Sequence, residues 1–224
     1  MKPEIVQKIE EKINYHFKNI SLLETAFTHS SYAFSHSTES NERLEFLGDS
    51  VLNFCTTMFL FDNFNLSEGA SSKIRAYLVS SENVSKFVFN NRLENYLLCD
   101  NFNPQNSSNV MGDLYEAIVG AMLKDSNLEI CKNFIYKSLN YSTQLVENIQ
   151  SKTKDYKSEL QELVQSKQNE SLEYVLISQT GPAHLPEFTV EVNVNGVSMG
   201  RATAHNKKEA ENECARQALK KLEK

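Results

Sequence analysis

Five carboxylates in two short stretches carry the first chemistry legible in this chain. Residues 41–52 read NERLEFLGDSVL, with Glu42, Glu45 and Asp49 at steps of three and four. That spacing lines side chains along one flank of a helix. Like charges so placed repel and weaken the helix, unless something positive faces them. Residues 112–123 read GDLYEAIVGAML, with Asp113 and Glu116 one turn apart. Packed helices run about 8–10 Å apart, a gap that carboxylates from both could close around a cation. Oxygen donors without His or Cys favour magnesium or manganese over zinc. Spacing alone leaves a second reading open, in which each acidic row is a solvated face.

A second chemistry sits near the C-terminus. Asn206 is placed to cap a helix, and Glu209 three residues on completes a capping box. A helix start carries partial positive charge and free N–H groups. Lys207 and Lys208 add two ammonium groups there, against the usual dipole preference. Together they could grip phosphates; two solvated lysines are the alternative.

These residues need helices and strands to hold them. Leu44, Leu47, Val51 and Cys55 form an apolar stripe beside the first acidic row, and Leu114, Ala117, Ile118 and Ala121 do so beside the second. Gly48, Gly112 and Gly120 are small enough for close helix approach. Residues 1–150 read as nearly all helix: 5–13, 20–27, 42–61, 71–89, 93–98, 111–123 and 128–146, with an Asn/Ser-rich loop at 100–110. Residues 151–157 are polar and lysine-rich and read as a linker. Residues 158–224 then follow the order helix, three strands, helix. Phe188, Val190, Val192 and Val194 alternate as in a half-buried strand, and Asn195-Gly196 signals a hairpin turn. The expected fold is therefore multidomain: an all-α domain followed by a small α+β domain (α-β-β-β-α).

Bulk properties narrow the field. No window approaches the ~18 unbroken apolar residues of a membrane span. Cys55, Cys99, Cys131 and Cys214 lie far apart and read as buried thiols in a reducing compartment, which points to the cytoplasm. The net charge is −6. The first 152 residues hold 13 basic and 18 acidic side chains, and the remaining 72 hold 10 and 11. Neither part is basic, so any nucleic-acid binding must rest on local patches.

NERLEFLGDSVL resembles the signature of the bacterial ribonuclease III family nearly residue for residue. Thr28-His29-Ser30, Ser67-Glu68-Gly69 with Lys73-Ile74-Arg75, and GDLYEAIVGA follow in family order. The C-terminal part resembles a double-stranded-RNA-binding domain. The resemblance implies a homodimeric endoribonuclease that cuts double-stranded RNA, leaves 5′-phosphate and 3′-hydroxyl ends, and processes ribosomal RNA precursors and other structured transcripts. It implies Mg²⁺, with Mn²⁺ as substitute, on Glu45, Asp49, Asp113 and Glu116, with Asp49 and Glu116 catalytic and no small-molecule cofactor. Asp49 could ligate directly or stand behind the ligands. By resemblance, RNA contacts fall on Ser158, Gln161, Glu162, Gln165, His184, Asn206, Lys207 and Lys208. Phe46 and Glu42 fall at the dimer interface and Glu68 is accessory. For Phe46 ordinary core packing is the alternative, and for Glu42 a salt bridge to Arg43 or Arg75. A protein that holds duplex RNA without cutting it is the rival functional reading. The family often repeats glycines before the lysine patch; here Gly200 is followed by Ala202 and Ala204, which a strand accommodates.

Overall fold

The computed structural model describes residues 1–100, 107–153, 155–166, 171–182 and 185–222. The chain divides into two compact units, Met1–Thr153 and Lys154–Lys224.

Among its described residues the first unit is built of helices, with one isolated β-bridge between Thr28 and Leu98. Its helices are α1 (Pro3–Ile13), α2 (Ile20–Ala26), α3 (Ser30–His36), α4 (Glu42–Asn63), α5 (Glu68–Leu78), α6 (Ser81–Asn90), α7 (Ser108–Asp125), α8 (Leu128–Ser138) and α9 (Thr143–Thr153), with a 3₁₀ turn at Leu93–Tyr96. Helix α7 is the hub. Met111, Leu114, Ala117, Ile118 and Ala121 are fully buried, so α7 is apolar on nearly all sides, as a central core helix must be. Its most extensive packing is against α4.

Two glycines allow that packing. A Cβ on Gly48 would lie 1.8 Å from the Glu116 carbonyl oxygen, and one on Gly120 would lie 2.0 Å from the Leu44 carbonyl oxygen. The two backbones therefore touch at reciprocal glycines. Gly112 has another job. Its missing Cβ leaves room for Ser81 of α6 instead.

Several boundaries differ from the sequence expectation. The helix expected over 71–89 is two helices, because Ser80 caps a new start by accepting from the Asn83 amide. The helix expected over 128–146 breaks after Ser138, where Asn140 takes a left-handed conformation (φ 52°). The stretch expected as a linker is partly helical. Helix α9 runs to Thr153, anchored by buried Val146 and Ile149. The next helix, α10 (Tyr156–Ser166), starts at once, with Asp155 Oδ1 accepting from the Ser158 amide at 3.1 Å. Helix α3 is not among the elements expected from the sequence. Most of the 100–110 loop lies outside the described residues.

The second unit stacks α10 and α11 (Lys207–Leu222) on one face of a sheet of β1 (Leu172–Thr180), β2 (Glu187–Val194) and β3 (Val197–Ala204). The strands are antiparallel in the order β1-β2-β3. Val190, Val192 and Val194 point into the core beside Leu160, Ala210, Cys214 and Ala218. Asn195 and Gly196 both adopt positive φ (52° and 75°) in the β2–β3 turn. Gly200 is needed where it stands, since a Cβ there would meet the Cys214 carbonyl at 2.4 Å. Ala202 is buried and Ala204 half-buried on the same face. Cys55, Cys131 and Cys214 are buried free thiols, whereas Cys99 is only half-buried.

Candidate active site

The α4–α7 crossing decides where the acidic side chains go. Glu45 lies one turn before Gly48, and Glu116 one turn before Gly120, so the close approach carries both carboxylates to one place. Carboxylate oxygens of Glu45, Asp113 and Glu116 lie within 4.8 Å of one another. All three residues are half-buried. None has an ion-pair partner among the described residues.

Such crowding costs free energy. Burial is the main cause that pushes the Glu116 carboxyl up to about 8, with the charges of Asp49, Asp113 and Glu45 adding to it. Burial also raises Glu45, helped by Asp113, Glu42 and Asp49. Asp113 is raised by burial, against which the nearby His29 acts in the opposite direction. Three mutually repelling oxygen donors, half removed from water and with no Lys or Arg paired to them among the described residues, suit a hard divalent cation. The residues therefore fit the ion that the sequence implies.

Asp49 stands at the edge. It is exposed, and Asn53 Nδ2 donates to its Oδ1 at 2.8 Å. Its oxygen is not among the three that converge, yet among the neighbouring carboxylates it acts most strongly on Glu116. That suits a support behind the ligands. In the sequence His29 is no more than part of a family marker. Its Nδ1 accepts from the Ser31 amide at 3.2 Å and lies 2.9 Å from Ser31 Oγ, so it caps α3 beside the acidic cluster. No spacing signal could have shown this, because the interaction with Asp113 spans separate elements.

The second unit presents its polar groups on two helix surfaces. Ser158, Gln161, Glu162 and Gln165 are all exposed, and their spacing of three, four and seven puts them on one face of α10. Asn206 caps α11, with its Oδ1 accepting from the Glu209 amide at 2.9 Å. Lys207 and Lys208 are exposed there. His184 lies outside the described residues.

Both units have counterparts among known proteins. Residues 19–143 match the family described as ribonuclease-III-like, and residues 156–222 match the double-stranded RNA binding motif. The chain belongs to the ribonuclease III family of endoribonucleases. A ribonuclease 3 from Streptococcus gordonii is 38% identical, over 92% of this chain and 91% of its own length. One from Streptococcus agalactiae serotype Ia is 35% identical over 98% of this chain and 99% of its own. Among solved structures, the nuclease domain of ribonuclease III from Campylobacter jejuni is 32% identical, with a TM-score of 0.57 over 62% of this chain and 95% of that one. A second structure of that domain is described by flexibility in the region involved in its dimer formation.

The remaining candidates of this ribonuclease III family member lie on the surface. Phe46 is 78% exposed, so the core-packing alternative is overturned. Phe54 and Phe61, at 51% and 82%, continue the same side of α4. Glu42 is exposed and accepts from Ser40 Oγ at 2.9 Å; among the described residues it pairs with neither Arg43 nor Arg75. Arg75 Nη1 instead donates to Thr57 Oγ1 at 3.1 Å. Glu68 opens α5 and accepts from Ser72 Oγ at 3.0 Å.

Proposed function

We propose that this endoribonuclease hydrolyses phosphodiester bonds in double-stranded RNA, with Mg²⁺ or Mn²⁺ at the α4–α7 crossing, and leaves 5′-phosphate and 3′-hydroxyl ends. The observation that carries the reading is the convergence of Glu45, Asp113 and Glu116 from two distant segments. When bound, a divalent cation offsets charge on phosphoryl oxygens and acidifies a water molecule. The chain's own residues do the rest. Glu45, Asp113 and Glu116 hold and orient the ion. Glu116 keeps a proton to about pH 8 while the site is free and must release it on loading. Asp49 tunes Glu116 from the rim.

The α10 face and the start of α11 would read the duplex by shape. The mostly uncharged groups on α10 suit 2′-hydroxyls in the shallow minor groove, and Lys207 and Lys208 suit phosphates. Exposed Phe46, Phe54 and Phe61 support a homodimer, in which each copy would cut one strand; an unpartnered row of phenylalanines is costly to leave in water. Structured transcripts such as ribosomal RNA precursors are the substrates this reading expects. Free thiols suit work in a reducing cytoplasm.

The test incubates purified protein with a long RNA duplex and with the matching single strand, in magnesium and in chelator. Only the duplex with magnesium should be cut, and Glu116→Gln should bind the duplex and leave it intact. Cutting that survives chelator would exclude the mechanism. Binding without cutting under every condition would favour the non-cleaving reading.

A further inference from the structure

The flank of α7 turned away from the acidic cluster borders a groove with a different character. Two cavities of about 350 and 520 Å³ lie side by side between α1, α6 and α8, with Phe87, Lys137 and Ser138 lining both, and together they make up the trough. The floor of the larger cavity is aromatic, whereas Asn83, Asn90, Asn91 and Asn140 line the smaller one. Phe87 and Phe134 meet edge to face with ring centroids 5.5 Å apart, and Phe87 stands 5.7 Å from the Tyr115 ring beneath. Met122 and Ile13 extend the floor, and partly exposed Ile130 forms a lip.

The walls invert the charge of the chain. Lys12, Lys86 and Lys137 reach the trough from three different helices, and among the described residues no carboxylate lines either cavity. None of the three lysines has an ion-pair partner among the described residues, whereas Lys132 and Lys157 are neutralised by Glu129 and Glu211. The helix dipole explains why Lys12 and Lys137 sit in last turns. It does not explain why three helices bring lysines to one aromatic trough in a protein of net charge −6.

We infer that this trough is a docking site for an acidic, amphipathic segment of a partner protein. Apolar anchors at helical spacing would fill the Phe87–Phe134 floor, and flanking carboxylates would meet Lys12, Lys86 and Lys137. Duplex RNA is the poorer occupant. Its outer surface offers phosphates and hydroxyls, and neither fills a concave apolar floor.

The test uses the full chain and a fluorescein-labelled peptide with Leu and Phe at every third and fourth position and Glu elsewhere. Binding should saturate, and amide shifts should move at Phe87, Ile130 and Lys137. The double variant Lys86→Glu with Lys137→Glu should bind about tenfold or more weakly, while its duplex cleavage stays unchanged and reports an intact fold. A peptide with Lys in place of Glu should not bind. The inference fails if no peptide binding saturates, if the double variant or the Lys peptide binds as well, or if an RNA duplex produces the same shifts.

Discussion

Glu116 concentrates the conflict between stability and function at the scale of one residue. Burial and three neighbouring carboxylates raise its pKa from 4.5 to about 8. A raised folded-state value means that the fold prefers the protonated acid. Its stabilising contribution is therefore complete below pH 4.5 and is lost as the pH rises through about 8. Ion-free protein should melt at progressively lower temperature across that window, as calorimetry in chelator would record. Glu116→Gln should flatten the trend and melt higher than the unsubstituted protein at pH 8, while duplex cleavage is lost. The acidic residues themselves are legible in the sequence. Their spacing on each helix follows from the pattern alone. That Glu45, Asp113 and Glu116 converge is implied by the family resemblance and not by spacing, and the place of Asp49 stays open in the sequence, because both depend on the angle and depth of a helix crossing.

That crossing belongs to the scale of elements. Gly48 and Gly120 let α4 and α7 touch backbone to backbone. Gly48→Ala would drive a methyl group into the Glu116 carbonyl, and no flexible side chain there can yield. We expect a destabilisation of about 3 kcal/mol or more, at or beyond the upper end of ordinary overpacking, measured by urea unfolding, together with failure to bind the cation. Glycines in an acidic helix can be read as close-approach points, and two of three serve this crossing; Gly112 serves α6. Other elements are hidden for physical reasons. Helix α3 buries little apart from Ala33, so no apolar stripe marks it. The α5–α6 break carries neither Gly nor Pro; a Ser80 cap makes it. Asn140 ends α8 by tolerating a left-handed backbone, which its sequence neighbours do not announce. The β2–β3 hairpin is plain, since Asn-Gly is a local signal.

At the scale of the whole molecule the acidic net charge is hard to reconcile with an RNA substrate. Local pairing eases the tension. Lys157, Arg216 and Lys132 are matched by Glu211, Glu213 and Glu129, while Lys207 and Lys208 stand exposed at the start of α11, with no carboxylate paired to either among the described residues. Lys207→Ala with Lys208→Ala should weaken duplex binding alike for unrelated sequences. It should also reduce the slope of log affinity against log salt by about one for each phosphate no longer neutralised. A filter-binding series at several salt concentrations would check both. An unchanged slope would move phosphate recognition elsewhere.

The decisive question is whether α4 and α7 share one ion. Manganese titration followed by electron paramagnetic resonance answers it with two single variants, Glu45→Gln on α4 and Glu116→Gln on α7. Each should weaken manganese binding by about tenfold or more. Undiminished affinity in either variant would mean that the two helices do not hold a common cation.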